Sequence, residues 1–153
     1  MLMNLVSEGI VNLEDPVSKF YNAQNPPEFK PVNPYGSKSH KSVTLQSLSM
    51  HASGLPRELG CGISAECKED SVMKYINAAP LFNKPMRTPH YSNLGTSLLA
   101  RCLERAYNKA AKRNISYEDW IQEFVFDKID MSNSGFNYSS EVVKKMAYGC
   151  KYK

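Results

Sequence analysis

The chain has 153 residues, 42% hydrophobic and 22% charged, a balance that suits one globular domain and excludes a disordered one. The net charge of +4 is spread out apart from Lys144, Lys145, Lys151 and Lys153 near the C-terminus. That falls short of the dense basic, aromatic-studded stripe nucleic acid demands, so no nucleic-acid partner is expected. No apolar run approaches the roughly 20 residues that span a bilayer.

In chain order, MLMNLVSEG lacks the basic flank and small-residue cleavage site of a secretory signal. It reads as the tail of an amphipathic helix, with Leu2, Leu5 and Val6 on one face and Gly9 as its stop. Asp15-Pro16 breaks the chain and begins a short new element. NAQNPPEFKPVNPYGSKSHKS, with four prolines, reads as an ordered surface excursion or a mobile loop. Thr44 then caps a helix that sends Leu45, Leu48 and Met50 toward a core, and Ser53-Gly54-Leu55-Pro56 ends it.

EDSVMKYINAAP predicts a further helix, capped near Asp70 or Ser71, with Val72, Met73, Ile76 and Ala79 inward. After the proline-rich turn NKPMRTP the helical signal is strong. Leu94, Leu98, Cys102, Ala106 and Ala110 recur at i+4, and Leu99 and Leu103 widen the stripe. That stripe exceeds what the short neighbouring helices should cover, so an exposed apolar face is expected along it. Lys109, Lys112 and Arg113 sit where the helix dipole favours cations. Ser116 and Asp119 form a capping box for a helix burying Trp120, Ile121, Phe124, Val125 and Ile129. MSNSGFNYSS is a turn, and SSEVVKKMAYG starts a last short helix. No stretch alternates with period two, so the chain is predicted to be mostly α.

Cys61 and Cys67 bracket the short loop CGISAEC, close enough to bridge in an oxidising compartment. Cys102 reads as a buried free thiol and Cys150 as a tail cysteine. The sequons Asn114-Ile-Ser and Asn137-Tyr-Ser lean the same way, toward an extracellular or lumenal setting. His40, His51 and His90 show no metal-ligand spacing with the cysteines, so no metal is expected.

Three ordered pieces carry the functional signal: MHASGLPRE (residues 50–58), PHYSNLG (89–95) and DKIDMSNSGF (127–136). With LVSEGIVNLEDPVSKF ahead of them, they resemble the serine β-lactamase and penicillin-binding-protein superfamily. The likeness is to its class C and D-alanyl-D-alanine carboxypeptidase-like branch, with a Leu-x-x-His-x-Ser-Gly-Leu-Pro turn and a Tyr-x-Asn motif heading a helix. Pro56-Arg57-Glu58-Leu59 further resembles the animal β-lactamase-like proteins. The resemblance implies an α+β parent fold, helices packed on an antiparallel sheet, of which this chain supplies mainly the helical region.

The implied chemistry is acyl transfer on an amide, ester or lactam, with a small-molecule or peptide-like substrate and no cofactor. A serine hydroxyl is a poor nucleophile at neutral pH and needs a base. A tyrosine beside cationic lysines gives up its proton more readily and can relay it. An asparagine amide offers both donor and acceptor to a substrate amide. Carried over by position, Tyr91 is the expected acid/base, and Asn93 the catalytic-site contact to substrate or lysine. Read without the family, Tyr91 could merely pack its ring and Asn93 merely cap a helix. His51 is expected to be a hydrogen-bonded structural histidine.

The resemblance places the nucleophilic Ser-x-x-Lys ahead of Met1 and the sheet's Lys/His-x-Gly strand beyond Lys153. Residues 1–153 are therefore expected to form a partial domain, inactive as it stands. The chain's one formal match, Ser71-Val72-Met73-Lys74, comes after the Ser-Gly-Leu-Pro turn instead of preceding it, and reads as an ordinary helix start. The alternative is a non-catalytic binding module or pseudoenzyme that keeps the cleft wall around Tyr91.

Overall fold

Helix α1 (Leu2–Ser7) forms as its spacing predicts, with Leu5 buried and Leu2 and Val6 packed on the same core. Gly9 stops it at φ +69°, a left-handed geometry that strains any residue with a β-carbon, and its amide donates to the Val6 carbonyl. The Asp15-Pro16 break gives one 3₁₀ turn, Val17–Lys19. A computed structural model describes residues 1–36, 43–59, 68–147 and 149. The expected Cys61–Cys67 bridge, Cys150 and His40 lie outside those residues.

The chain divides into two units, Met1–Asn114 and Ile115–Lys153. In the first, the proline-rich segment 22–36 is an ordered excursion without helix or strand, anchored by buried Phe29. Asn77 holds it from below, accepting from the Lys30 amide at 2.6 Å and donating to the Glu28 carbonyl at 2.7 Å. Arg105 holds its start, donating to the Phe20 and Pro26 carbonyls and to Glu69 while its guanidinium lies 4.1 Å from the Tyr21 ring centroid. The Tyr21 hydroxyl donates to Glu69 at 2.5 Å. Burial, then that hydrogen bond, pushes the phenol well above its usual range.

Helix α2 (Leu45–Ser49) opens on a capping box: Thr44 Oγ1 accepts from the Ser47 amide, and Ser47 Oγ from the Thr44 amide. Leu45 and Leu48 are buried. Met50 is exposed, against expectation, because the helix has already ended and Met50 is its C-cap. Helix α3 (Glu69–Ala78) buries Met73 and Ile76, with Val72 and Ala79 half-buried. Its cap is Lys68, so Asp70 and Ser71 lie inside the first turn instead of capping it. Glu69 and Asp70 there suit the positive end of the helix dipole.

Helix α4 (Asn93–Ala111) buries Leu94, Leu98, Leu99, Cys102, Leu103 and Ala106. The expectation of an uncovered face along it is corrected: α1, α2 and the Phe20–Phe29 region join α4 in one core, and only Ala110 of the stripe is exposed. Burial pushes the Cys102 thiol above its usual range. Lys112 ends the helix in the left-handed region, φ +52°.

The second unit starts as predicted, with the Ser116–Asp119 capping box heading α5 (Tyr117–Ile121). Those bonds hold the Asp119 carboxyl below its usual range. Trp120 is buried and stacks on Phe124, centroids 5.0 Å apart. The predicted single helix is not continuous. It widens into a π turn (Gln122–Phe126), then a 3₁₀ turn (Asp127–Ile129). The change of period rotates the i+4 stripe, so Ile121 and Val125 are half-buried while Phe124 and Ile129 are exposed. Helix α6 (Ser140–Lys145) comes last, capped by Ser139. Among the described residues, pairing between extended segments is limited to the bridges Pro16–Thr44, Asn22–Asn25 and Val32–Pro80.

Candidate functional site

The turn after α2 and the head of α4 are built as one object. His51 lies just past the α2 C-cap in the left-handed region, φ +56°. Its carbonyl accepts from the His90 amide at 2.7 Å, and its Nδ1 from the Ser92 amide at 3.3 Å. The residues on both sides of Tyr91 are thus tied to one histidine, as a structural histidine requires. Gly54 lies at φ +77° and its carbonyl accepts from the Phe82 amide. A β-carbon there would fall 2.2 Å from the Asn83 carbonyl oxygen, so only glycine fits that approach.

The start of α4 leaves amides without intrahelical partners, and the turn supplies them. Ser92 is the N-cap, its Oγ accepting from the Gly95 amide at 2.8 Å and donating to the Pro56 carbonyl at 2.6 Å. The Arg57 carbonyl accepts from the amides of Asn93 (2.9 Å) and Leu94 (3.2 Å). Because Ser92 does the capping, the Asn93 side chain is released from that role.

Tyr91 and Asn93 are both exposed, Tyr91 at 55%. The phenol ring lies 4.6 Å from the His51 ring, centroid to centroid, with the Arg57 guanidinium 5.7 Å from its centroid. Asn93 Nδ2 donates to Glu58 Oε1 at 2.7 Å, and Arg57 Nε lies 3.5 Å from that same oxygen. The structure therefore sets Tyr91 beside His51 and Arg57, and Asn93 beside Glu58, with Arg57 paired to Glu58; sequence reasoning gave Arg57 and Glu58 no role. The available signal was two adjacent charges directly after Ser-Gly-Leu-Pro, on a turn too tight to bury them.

Ser71 is an exposed first-turn residue of α3, its amide bonded to the Lys68 carbonyl, and Lys74 is exposed one turn on. A cavity of ≈ 290 Å³ lies between α3 and α4, floored by Met73, Leu94 and Leu98 and rimmed by Tyr21, Glu69 and Glu104. Neither Tyr91 nor Asn93 lines it, so this hollow and the candidate chemistry are different places. Among the described residues, no group of three or more His, Cys, Asp or Glu side chains could hold a metal ion. No helix there is long and apolar enough to cross a membrane.

The Beta-lactamase family model matches residues 1–151. Beta-lactamase-like protein 4 of Dictyostelium discoideum is 33% identical over 97% of this chain and 26% of its own length. The D-alanyl-D-alanine-carboxypeptidase/endopeptidase AmpH of Escherichia coli is 28% identical over 95% of this chain and 36% of its own. A solved Yersinia pestis β-lactamase/D-alanine carboxypeptidase superposes at a TM-score of 0.74 with 27% identity, covering 96% of this chain and 40% of that one. The fold and its paired motifs are those of the serine β-lactamase and penicillin-binding-protein superfamily, and the chain belongs to the Beta-lactamase family. It spans between about a quarter and two fifths of the length of these relatives.

Proposed function

We propose that this protein carries the tyrosine–asparagine wall of a serine acyl-transfer site acting on small amide, ester or lactam substrates. The observation that supports this most is the clamp itself. The turn 51–58 ties down the backbone on both sides of Tyr91 and takes over the capping of α4. A phenol and an amide are thereby both held exposed, and the capping of α4 falls to Ser92 and not to Asn93. In this reading Tyr91 relays the proton between a serine nucleophile and the leaving group. Asn93 contacts the substrate amide or the lysine that serves the serine.

The nucleophile is a separate matter. The one Ser-x-x-Lys in the sequence is Ser71–Lys74, on the exposed first turn of α3. We assign it no chemistry, and groups that act as a unit lose nearly all activity when the nucleophile is lacking. The 153-residue chain should accordingly take up no fluorophosphonate or penicillin probe in intact-mass measurements, and Ser71→Ala should change nothing. Stoichiometric labelling at Ser71 would overturn this part of the reading.

The setting we infer is extracellular or lumenal. The sequon residues Asn114 and Asn137 are both exposed and open to glycosylation. Non-reducing peptide mapping of secreted material should find Cys61 joined to Cys67, and two alkylatable thiols there would count against that setting.

A further inference from the structure

We propose that Glu58 gives this site a preference for substrates presenting an ammonium group beside the scissile carbonyl. The inference rests on the reading of Asn93 as the substrate contact and extends it to a class of substrate. An ionised carboxylate can only accept hydrogen bonds, so the Asn93 amide must turn its nitrogen toward Glu58, as the 2.7 Å contact has it. That commits a donor of the amide and leaves its carbonyl oxygen on the other side.

Both neighbours of Glu58, Asn93 Nδ2 and Arg57 Nε, approach the same oxygen, Oε1. What the pair offers an incoming group is therefore acceptors, Asn93 Oδ1 and Glu58 Oε2, on a carboxylate whose charge Arg57 shares at Oε1 alone. An asparagine alone serves donors and acceptors alike, whereas an asparagine held by a carboxylate favours N–H donors, and a charged donor most. Arg57 is the competing influence. Its Nε sits 3.5 Å from Oε1 and its guanidinium carbon 5.7 Å from the Tyr91 centroid, so its charge reaches both the phenol and Oε1, and Oε2 is the carboxylate oxygen to which neither neighbour hydrogen-bonds.

Three small amides separate the possibilities at pH 7 and low salt: glycinamide (an ammonium), N-acetylglycinamide (neutral) and malonamate (an anion). Each is titrated into the 153-residue chain while the Tyr91 resonances and the Asn93 side-chain amide are followed by NMR. Glycinamide is expected to bind about tenfold more tightly than N-acetylglycinamide, the scale of one charge-assisted hydrogen bond. Glu58→Gln, which keeps the shape and the acceptor, should bring the two to parity, and added salt should narrow the gap. Equal binding of all three ligands at Tyr91 and Asn93 would overturn the ammonium preference and leave the substrate site standing. Tighter malonamate would overturn it in favour of Arg57. A preference that survives Glu58→Gln would remove Glu58 from the account. No shift at Tyr91 or Asn93 with any ligand would overturn the site reading, and the preference with it.

Discussion

Thr44 and Ser116 open helices in the same way, each hydroxyl taking the amide three residues on while that residue's side chain reaches back to the cap amide. Beyond the caps the two regions part. Residues 1–114 contain the whole apolar core cluster, with Leu5, Leu45, Leu48, Leu55 and Ile76 fully enclosed. In the second unit Trp120 alone is buried among the described residues, while Ile129, Phe136, Val143 and Met146 are exposed. Capping decides where a helix starts, at about 1 kcal/mol each. Burial at roughly 25 cal/mol per Å² decides whether it stays. The candidate site stands on the first unit, where a rigid base can hold two exposed side chains in place.

The sharpest way to break this comparison is a matched pair of truncations. Leu98→Ala, at a position only 4% exposed, should cost about 3 kcal/mol in urea unfolding, within the usual range of about 2–5. Ile129→Ala, at 61% exposed, should stay within about 0.5 kcal/mol. Similar costs would erase the distinction. Gly54→Ala comes next, at about 2–4 kcal/mol, because the left-handed φ and the Asn83 carbonyl both resist a β-carbon. It should also move the Tyr91 resonances, since Gly54 belongs to the turn that holds them.

The third effect is on pH. The Cys102 thiol is raised in the fold by burial, so the unfolded chain loses its proton first. The stability this group contributes is full below the unfolded thiol value of about 8.5 and falls as pH rises past it, by about 1 kcal/mol at pH 9. Tyr21, raised by burial and Glu69, adds the same sign above about pH 10. Cys102→Ala should flatten the slope between pH 8 and 9.5, and an unchanged slope would place its origin elsewhere. The smallest effect is local. Ser116→Ala should speed hydrogen exchange over residues 117–121 without moving the unfolding midpoint of residues 1–114. The same helix start should loosen in acid as Asp119, whose carboxyl is held low by Ser116, takes up its proton.

Much of the fold was legible because its signals are local. The i+4 stripe from Leu94 to Ala106, the Gly9 stop, the Thr44 cap and the Ser116–Asp119 capping box depend on residues within a turn or two of each other. The expected exposed face on α4 failed for the opposite reason. Its cover comes from Leu5, Leu48 and the Phe20–Phe29 stretch, which no reading of α4 contains. The π turn at Gln122–Phe126 was equally hidden, since one period was read through a segment that uses three. Tyr91 and Asn93 were legible only through the family's motif order. Glu58 was not, because its partner Asn93 is 35 residues away and only the folded turn brings them together.

That Tyr91 handles protons, and does not merely pack, is tested most directly by a chimera. Residues 1–151 replace the matching segment of the Yersinia pestis enzyme, and β-lactam turnover is measured in the product that melts cooperatively. Tyr91→Phe removes one hydroxyl from a half-exposed ring, so the melting temperature should hold, while turnover should fall by about 10²–10⁴, the scale of a lost general acid/base. Turnover within threefold of the parent chimera, at unchanged stability, would contradict the account and return Tyr91 to a packing role against His51.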